Sequence, residues 1–108
     1  MKAGELNKRI ALLRPEEVRD DFGESKTELV KVTDVWAKAE AMSNRKIRTA
    51  DQQQVIETYH FTIRPRGDID EGWMITYQKR NFTARALDRN QPDRLIITAE
   101  VDSRHDRN

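Results

Sequence analysis

Apolar and polar residues alternate with a period of two along most of this chain, the pattern of strands with one buried and one wet face. In Lys8 to Arg14, Ile10 and Leu12 fall on one side and Ala11 and Leu13 on the other, predicting a first strand that Pro15 ends. Ala3 to Asn7 leaves room for one helical turn before it. From Leu29 to Met42 the alternation slips: Val30 and Val32 share one parity, and Val35, Ala37, Ala39 and Ala41 share the other. A bulge near Thr33-Asp34 returns both sets to one face. Trp36 then points to the opposite face, where its indole needs partial cover. Val55 to Arg64 alternates strictly, with Val55, Tyr59, Phe61 and Ile63 inward, until Pro65 and Gly67 end it. Trp73 to Tyr77 and Asn81 to Leu87 read as a hairpin around Gln78-Lys79-Arg80. Leu95 to Asp102 follows the turn Asn90-Gln91-Pro92-Asp93 and places Leu95, Ile97, Ala99 and Val101 inward.

Three intervals break the pattern. Glu16 to Lys26 is polar, with Gly23 able to take the positive φ of a hairpin connection. Ser43 to Gln54 has no alternation and no apolar stripe, so a mobile loop at 43–54 is expected between the second and third strands. Ser103 to Asn108 reads as a frayed tail. Six strands with short turns predict an all-β fold, a small antiparallel barrel or sandwich with that long loop. With 108 residues and no break in composition, residues 1–108 form a single domain.

Composition changes the picture in two ways. Only 36% of residues are hydrophobic and 36% are charged, so the core is lean and gains from assembly with a partner. The net charge of +1, from 20 basic and 19 acidic groups, gives no global field toward DNA or an anionic membrane. Charge is segregated instead. Residues Glu16 to Glu28 hold the acids Glu16, Glu17, Asp20, Asp21, Glu24 and Glu28 against only Arg19 and Lys26, whereas Ser43 to Gln54 holds Arg45, Lys46 and Arg48 against Asp51 alone.

Little catalytic chemistry is legible. The absence of cysteine removes disulfides, thiolate metal sites and cysteine nucleophiles. His60 and His105 lack partners at helical metal-site spacing, and Asp68, Asp70 and Glu71 lack the distal glutamate of a calcium loop, so no metal is expected. Ser25, Ser43 and Ser103 lie in polar segments without a nucleophile elbow, and the four glycines have no phosphate-cradling spacing. The expectation is a protein that is not an enzyme and takes no cofactor. No signal peptide or membrane-spanning stretch is legible, which points to synthesis in a cytoplasm.

Two segments carry contact chemistry. Arg45, Lys46 and Arg48, with the amides of Gln52, Gln53 and Gln54, can meet phosphates weakly in one copy and more strongly when arrayed around a channel. Asp20, Asp21 and Phe22 form an acidic turn suited to a neighbouring subunit or partner.

The opening Gly4-Glu5-Leu6-Asn7-Lys8-Arg9-Ile10, the Asp21-Phe22-Gly23 turn, the Val35-Trp36-Ala37-Lys38-Ala39-Glu40 strand and Thr62-Ile63-Arg64 follow one another in an order that resembles the phage head-tail joining (head-closure or adaptor) proteins. The chain departs where that family often has a tight glycine hairpin and a Tyr-x-Ile strand; here stand Gln78-Lys79-Arg80-Asn81 and Phe82-Thr83-Ala84. The resemblance implies a structural virion connector, in a free phage or a prophage. It would assemble as a homo-oligomeric ring below the portal and help to close or line the DNA exit channel. Implied partners are the portal or adaptor protein, the tail-completion protein and, non-specifically, packaged DNA, with no membrane. The isolated chain is expected to be a monomer or weak oligomer, made in the host cytoplasm and resident in the virion. The alternative is a small β-barrel nucleic-acid-binding module, OB-like or Sm-like, which needs exposed aromatics on a basic strand face.

Overall fold

The computed structural model describes the backbone of residues 3–49 and 52–102 and the side chains of residues 4–44 and 55–101. A single 3-10 turn, Ala3–Glu5, precedes six strands: β1 Lys8–Arg19, β2 Ser25–Thr49, β3 Gln52–Ile63, β4 Met74–Tyr77, β5 Arg80–Asp88 and β6 Leu95–Asp102. All neighbours are antiparallel, in the order β1-β2-β3-β6-β5-β4, and β4 pairs back to β1 to close a barrel. Closure removes the free sheet edges that a six-stranded open sheet would expose.

The inward positions of every strand fill the barrel. Ile10 and Leu12 of β1, Ala37 of β2, Phe61 and Ile63 of β3, Ile75 and Tyr77 of β4, Phe82 and Ala84 of β5, and Leu95, Ile97, Ala99 and Val101 of β6 form one core. Size alternates across it. Tyr59, Ala99 and Ala84 stand side by side on three successive strands, and the two alanines leave room for aromatic rings. Phe61 meets Phe82 edge to face with centroids 5.3 Å apart, and Tyr59 tilts against Phe82 at 4.9 Å. Burial of side chains such as Phe61 and Ile97 contributes about 1.5–3 kcal/mol each.

Alternation located Ala37, Phe61, Ile63, Leu95, Ile97, Ala99 and Val101, because a strand's period is two, whereas β1, apolar on both parities, left its inward side open. The slip in β2 is a bulge: Leu12 faces Thr33 while Leu13 faces Lys31, so Val32 is the extra residue. Val32 and Val35 thereby both pack against the core, whereas Val30 lies on the surface. Leu6, Ile69 and Trp73 are also buried, although they lie outside or at the ends of strands.

Strand lengths differ from the sequence reading. Pro15 does not end β1; it sits opposite Leu29, where β1 has β2 as its one neighbour. Proline is tolerated there because an edge position need not donate to a second ladder. In the 43–54 segment, read as a loop, residues 43–49 and 52–54 are an extension of the sheet: Ser43 faces Thr58 and successive pairs continue to Thr49 and Gln52. Cross-strand backbone bonding needs no apolar stripe, which is why alternation missed it. The tail at 103–108 lies outside the described residues.

Both long hairpins therefore outrun the barrel. Residues 14–19 pair with β2 alone, and β6 leaves β3 at the Ile56–Asp102 pair while β2 and β3 continue together. The radius of gyration, 15.4 Å, exceeds the roughly 13 Å of a compact chain of this length, as two projecting ribbons require.

Candidate interaction surfaces

The β1–β2 ribbon ends in a turn that its own backbone locks. Asp20 Oδ1 accepts hydrogen bonds from the N–H groups of Phe22 and Glu24, each at 2.9 Å. Gly23 supplies φ of 82° and donates its N–H to the Asp20 carbonyl at 3.1 Å, and the Asp20 N–H reaches the Glu24 carbonyl at 3.0 Å. A short acidic side chain followed by glycine is the combination that closes such a turn. Phe22 is thus held outward, 91% exposed, among Asp20, Asp21 and Glu24. The three sequence-assigned contact residues Asp20, Asp21 and Phe22 are brought together at one tip.

Below the tip, no second layer covers the ribbon among the described residues. Leu29 and Val30 are exposed, and two strands alone are marginal in water. Local ion pairs, Arg14 with Glu16 and Lys26 with Glu28 at 3.5 Å, lie along it.

Trp36 marks a second surface, near the ribbon's base. It points away from the core, as its parity requires, and is 53% exposed, with partial cover from a neighbour across the ladder. Its partner across the ladder is Arg9, whose guanidinium lies 5.0 Å from the ring centroid. An open groove of about 520 Å³ on one side is lined by Leu6, Asn7, Trp36 and Arg64. A second, of about 280 Å³, joins Trp36 and Arg64 to Arg9, Val35 and Arg66.

The 64–73 connection forms part of that wall and is fixed from both ends. Arg66 donates to both Asp68 carboxylate oxygens, at 3.0 and 2.7 Å, and these bonds hold the Asp68 carboxyl below its ordinary range and raise the Arg66 guanidinium. Arg89 donates to the carbonyls of Arg66 and, at 2.7 Å, Ile69. Gly72, at φ 90°, bonds its N–H to the Ala84 carbonyl at 2.9 Å. Sequence reading missed the Trp36 groove because its residues come from three separated segments, although Trp36 on an outward parity was a legible signal.

Arg45, Lys46, Arg48, Gln52, Gln53 and Gln54 all lie on the β2–β3 extension, with Arg45 opposite Ile56 and Arg48 opposite Gln53 in backbone register. They share one ribbon end, apart from Asp20, Asp21 and Phe22. The aromatics Tyr59, Phe61 and Phe82 pack on one another at the core, so they offer no stacking face for bases. Among the described residues, every buried side-chain nitrogen and oxygen has a hydrogen-bond partner, so none is left aimed at an absent ligand.

The closed barrel buries most of its large apolar side chains in one core and leaves Phe22 and Trp36 exposed outside it. The family model for phage head completion proteins matches residues 1–102. The chain belongs to that family, whose members are structural proteins of the virion. Its fold is similar to that of a chain in the virion of a native gene transfer agent particle, with a TM-score of 0.74 and 16% identity, covering 90% of this chain and 94% of that one. It is also similar to protein SF1141 from Shigella flexneri 2a, seen in solution, with a TM-score of 0.69 and 21% identity over 92% of this chain and 95% of that one. No curated protein matches the sequence.

Proposed function

We propose that this chain is a subunit of the head–tail connector: a ring assembled below the portal that joins head to tail and helps to line or close the DNA exit channel. The observation that carries the reading is the β1–β2 ribbon, which extends past the barrel and exposes Phe22, Leu29 and Val30 with no covering layer among the described residues, beside the backbone extension of β2 and β3. Such arms gain their missing contacts from neighbours in an assembly. Membership of the head completion family and the shared fold with a gene transfer agent virion chain agree with it.

In this reading, portal or adaptor protein lies on one side of the ring and the tail-completion protein on the other. The β2–β3 extension turns toward the channel, where Arg45, Lys46, Arg48, Gln52, Gln53 and Gln54 meet packaged DNA without reading its sequence. The free subunit is a monomer or weak oligomer in the host cytoplasm and joins the ring on a preformed connector. The test is to produce particles from which this chain is omitted. DNA-filled heads that lack tails or leak DNA support the reading; normal tailed, infectious particles refute it. Replacing Arg45, Lys46 and Arg48 together with serine then separates the channel role, since a folded chain that joins heads to tails but retains DNA poorly is the expected phenotype.

A further inference from the structure

The acidic tip and the Trp36 groove carry charges of opposite sign, and each exposes an aromatic side chain. Phe22 is an almost fully exposed aromatic knob beside Asp21 and Glu24, whose carboxylates have no cationic partner among the described residues. The groove offers a half-exposed indole rimmed by Arg9 and Arg64, which have no carboxylate partner among the described residues, while the acidic Asp34 on the same wall is already paired with Lys31 at 2.8 Å. The two cannot meet within one molecule. Trp36 sits opposite Arg9 at the ribbon's base, and Asp20 opens the turn eleven positions further along β1, roughly 36 Å away in extended chain.

We propose that Phe22 of one protomer inserts into the groove beside Trp36 of a second copy of this chain, with Asp21 and Glu24 facing Arg9 and Arg64. This rests on the connector reading and names the contact that would propagate its ring. Because tip and groove are different patches, the contact is heterologous: each copy gives one tip and receives one, and a closing rotation yields a ring. Aromatic packing inside a rim of opposite charge supplies both an anchor and an orientation.

The chain has no cysteine, so engineered thiols report a single contact. Ser25→Cys and Asn7→Cys, which leave Phe22, Asp21, Glu24 and Trp36 intact, are mixed at high concentration with a short bis-maleimide linker. The expected result is a cross-linked heterodimer several-fold above the statistical mixture, and a ladder of covalent multimers from the double variant. Phe22→Ser or Arg64→Glu in that double variant should remove the ladder while leaving the unfolding midpoint in place. A statistical mixture, a predominance of tip-to-tip dimers, or a ladder unaffected by both substitutions overturns the contact. A double variant that occupies the head–tail junction of assembled particles yet gives no ladder there overturns the contact and leaves the connector reading standing.

Discussion

The guanidinium of Arg9 lies over the indole of Trp36 on the outer wall of the barrel, 5.0 Å from the ring centroid, and the two residues face each other across the β1–β2 ladder. The stacking shields one face of the indole and leaves the residue 53% exposed. An exposed cation–π contact contributes about 0.5–1 kcal/mol, and the partly covered ring adds some apolar burial. Trp36→Ala should therefore cost only about 1–2 kcal/mol in a denaturant titration. A loss as large as that of a core aromatic would mean that the indole is a structural residue.

Phe61 provides that comparison. It is fully buried, opposite Ala39 and Ile97, and touches the rings of Tyr59, Tyr77 and Phe82. Phe61→Ala should destabilise the chain by about 3–5 kcal/mol, because the small Ala39 beside it cannot fill the space. A cost below about 1 kcal/mol would contradict the barrel interior described above.

The β4–β5 turn holds strain that a sequence change can relieve. Gln78 and Lys79 have φ of 52° and 65°, the signs that a two-residue type I′ hairpin requires and that Asn-Gly meets more easily. Replacing the pair with Asn-Gly should raise stability by about 1–2 kcal/mol, measured by thermal unfolding. An unchanged or lowered midpoint would show that these side chains contribute something the turn geometry does not reveal.

Asp68 gives a pH signature of known sign. Its hydrogen bonds from Arg66 lower the folded-state pKa below the ordinary 3.8, so its contribution is complete above that value and disappears as pH falls through the lowered one. The pair is exposed to solvent, which limits the effect to about 0.2–1 kcal/mol. Asp68→Asn should unfold slightly below the parent chain at pH 6, and the gap should close in strong acid. A gap that did not narrow as the pH fell below 3.8 into strong acid would assign the loss to packing of the 64–73 connection.

Residues with one wet and one dry face were legible in the sequence. Phe61, Ile63, Ile97 and Val101 declare their side by parity, and even the β2 bulge showed as a parity slip close to Val32. Ile69 was not legible as core, because irregular chain carries no periodicity to test. The ribbon extensions were hidden for a different reason. Residues around Pro15 and Ser43 are held by backbone ladder bonds and present polar side chains on both faces, so alternation has nothing to report there. Of the contact surfaces, the acidic tip was visible as Asp-Asp-Phe-Gly, whereas the groove exists only once Leu6, Trp36 and Arg64 are folded together.

The most direct test of the connector assignment is the position of this chain in an assembled particle. High-resolution electron cryomicroscopy of virions carrying it should place a ring of six-stranded barrels between portal and tail, with the β2–β3 ribbons toward the channel and the β1–β2 tips against neighbouring copies. Density for the barrel in the capsid shell or at the far end of the tail, or none at the head–tail junction of complete particles, would contradict the account.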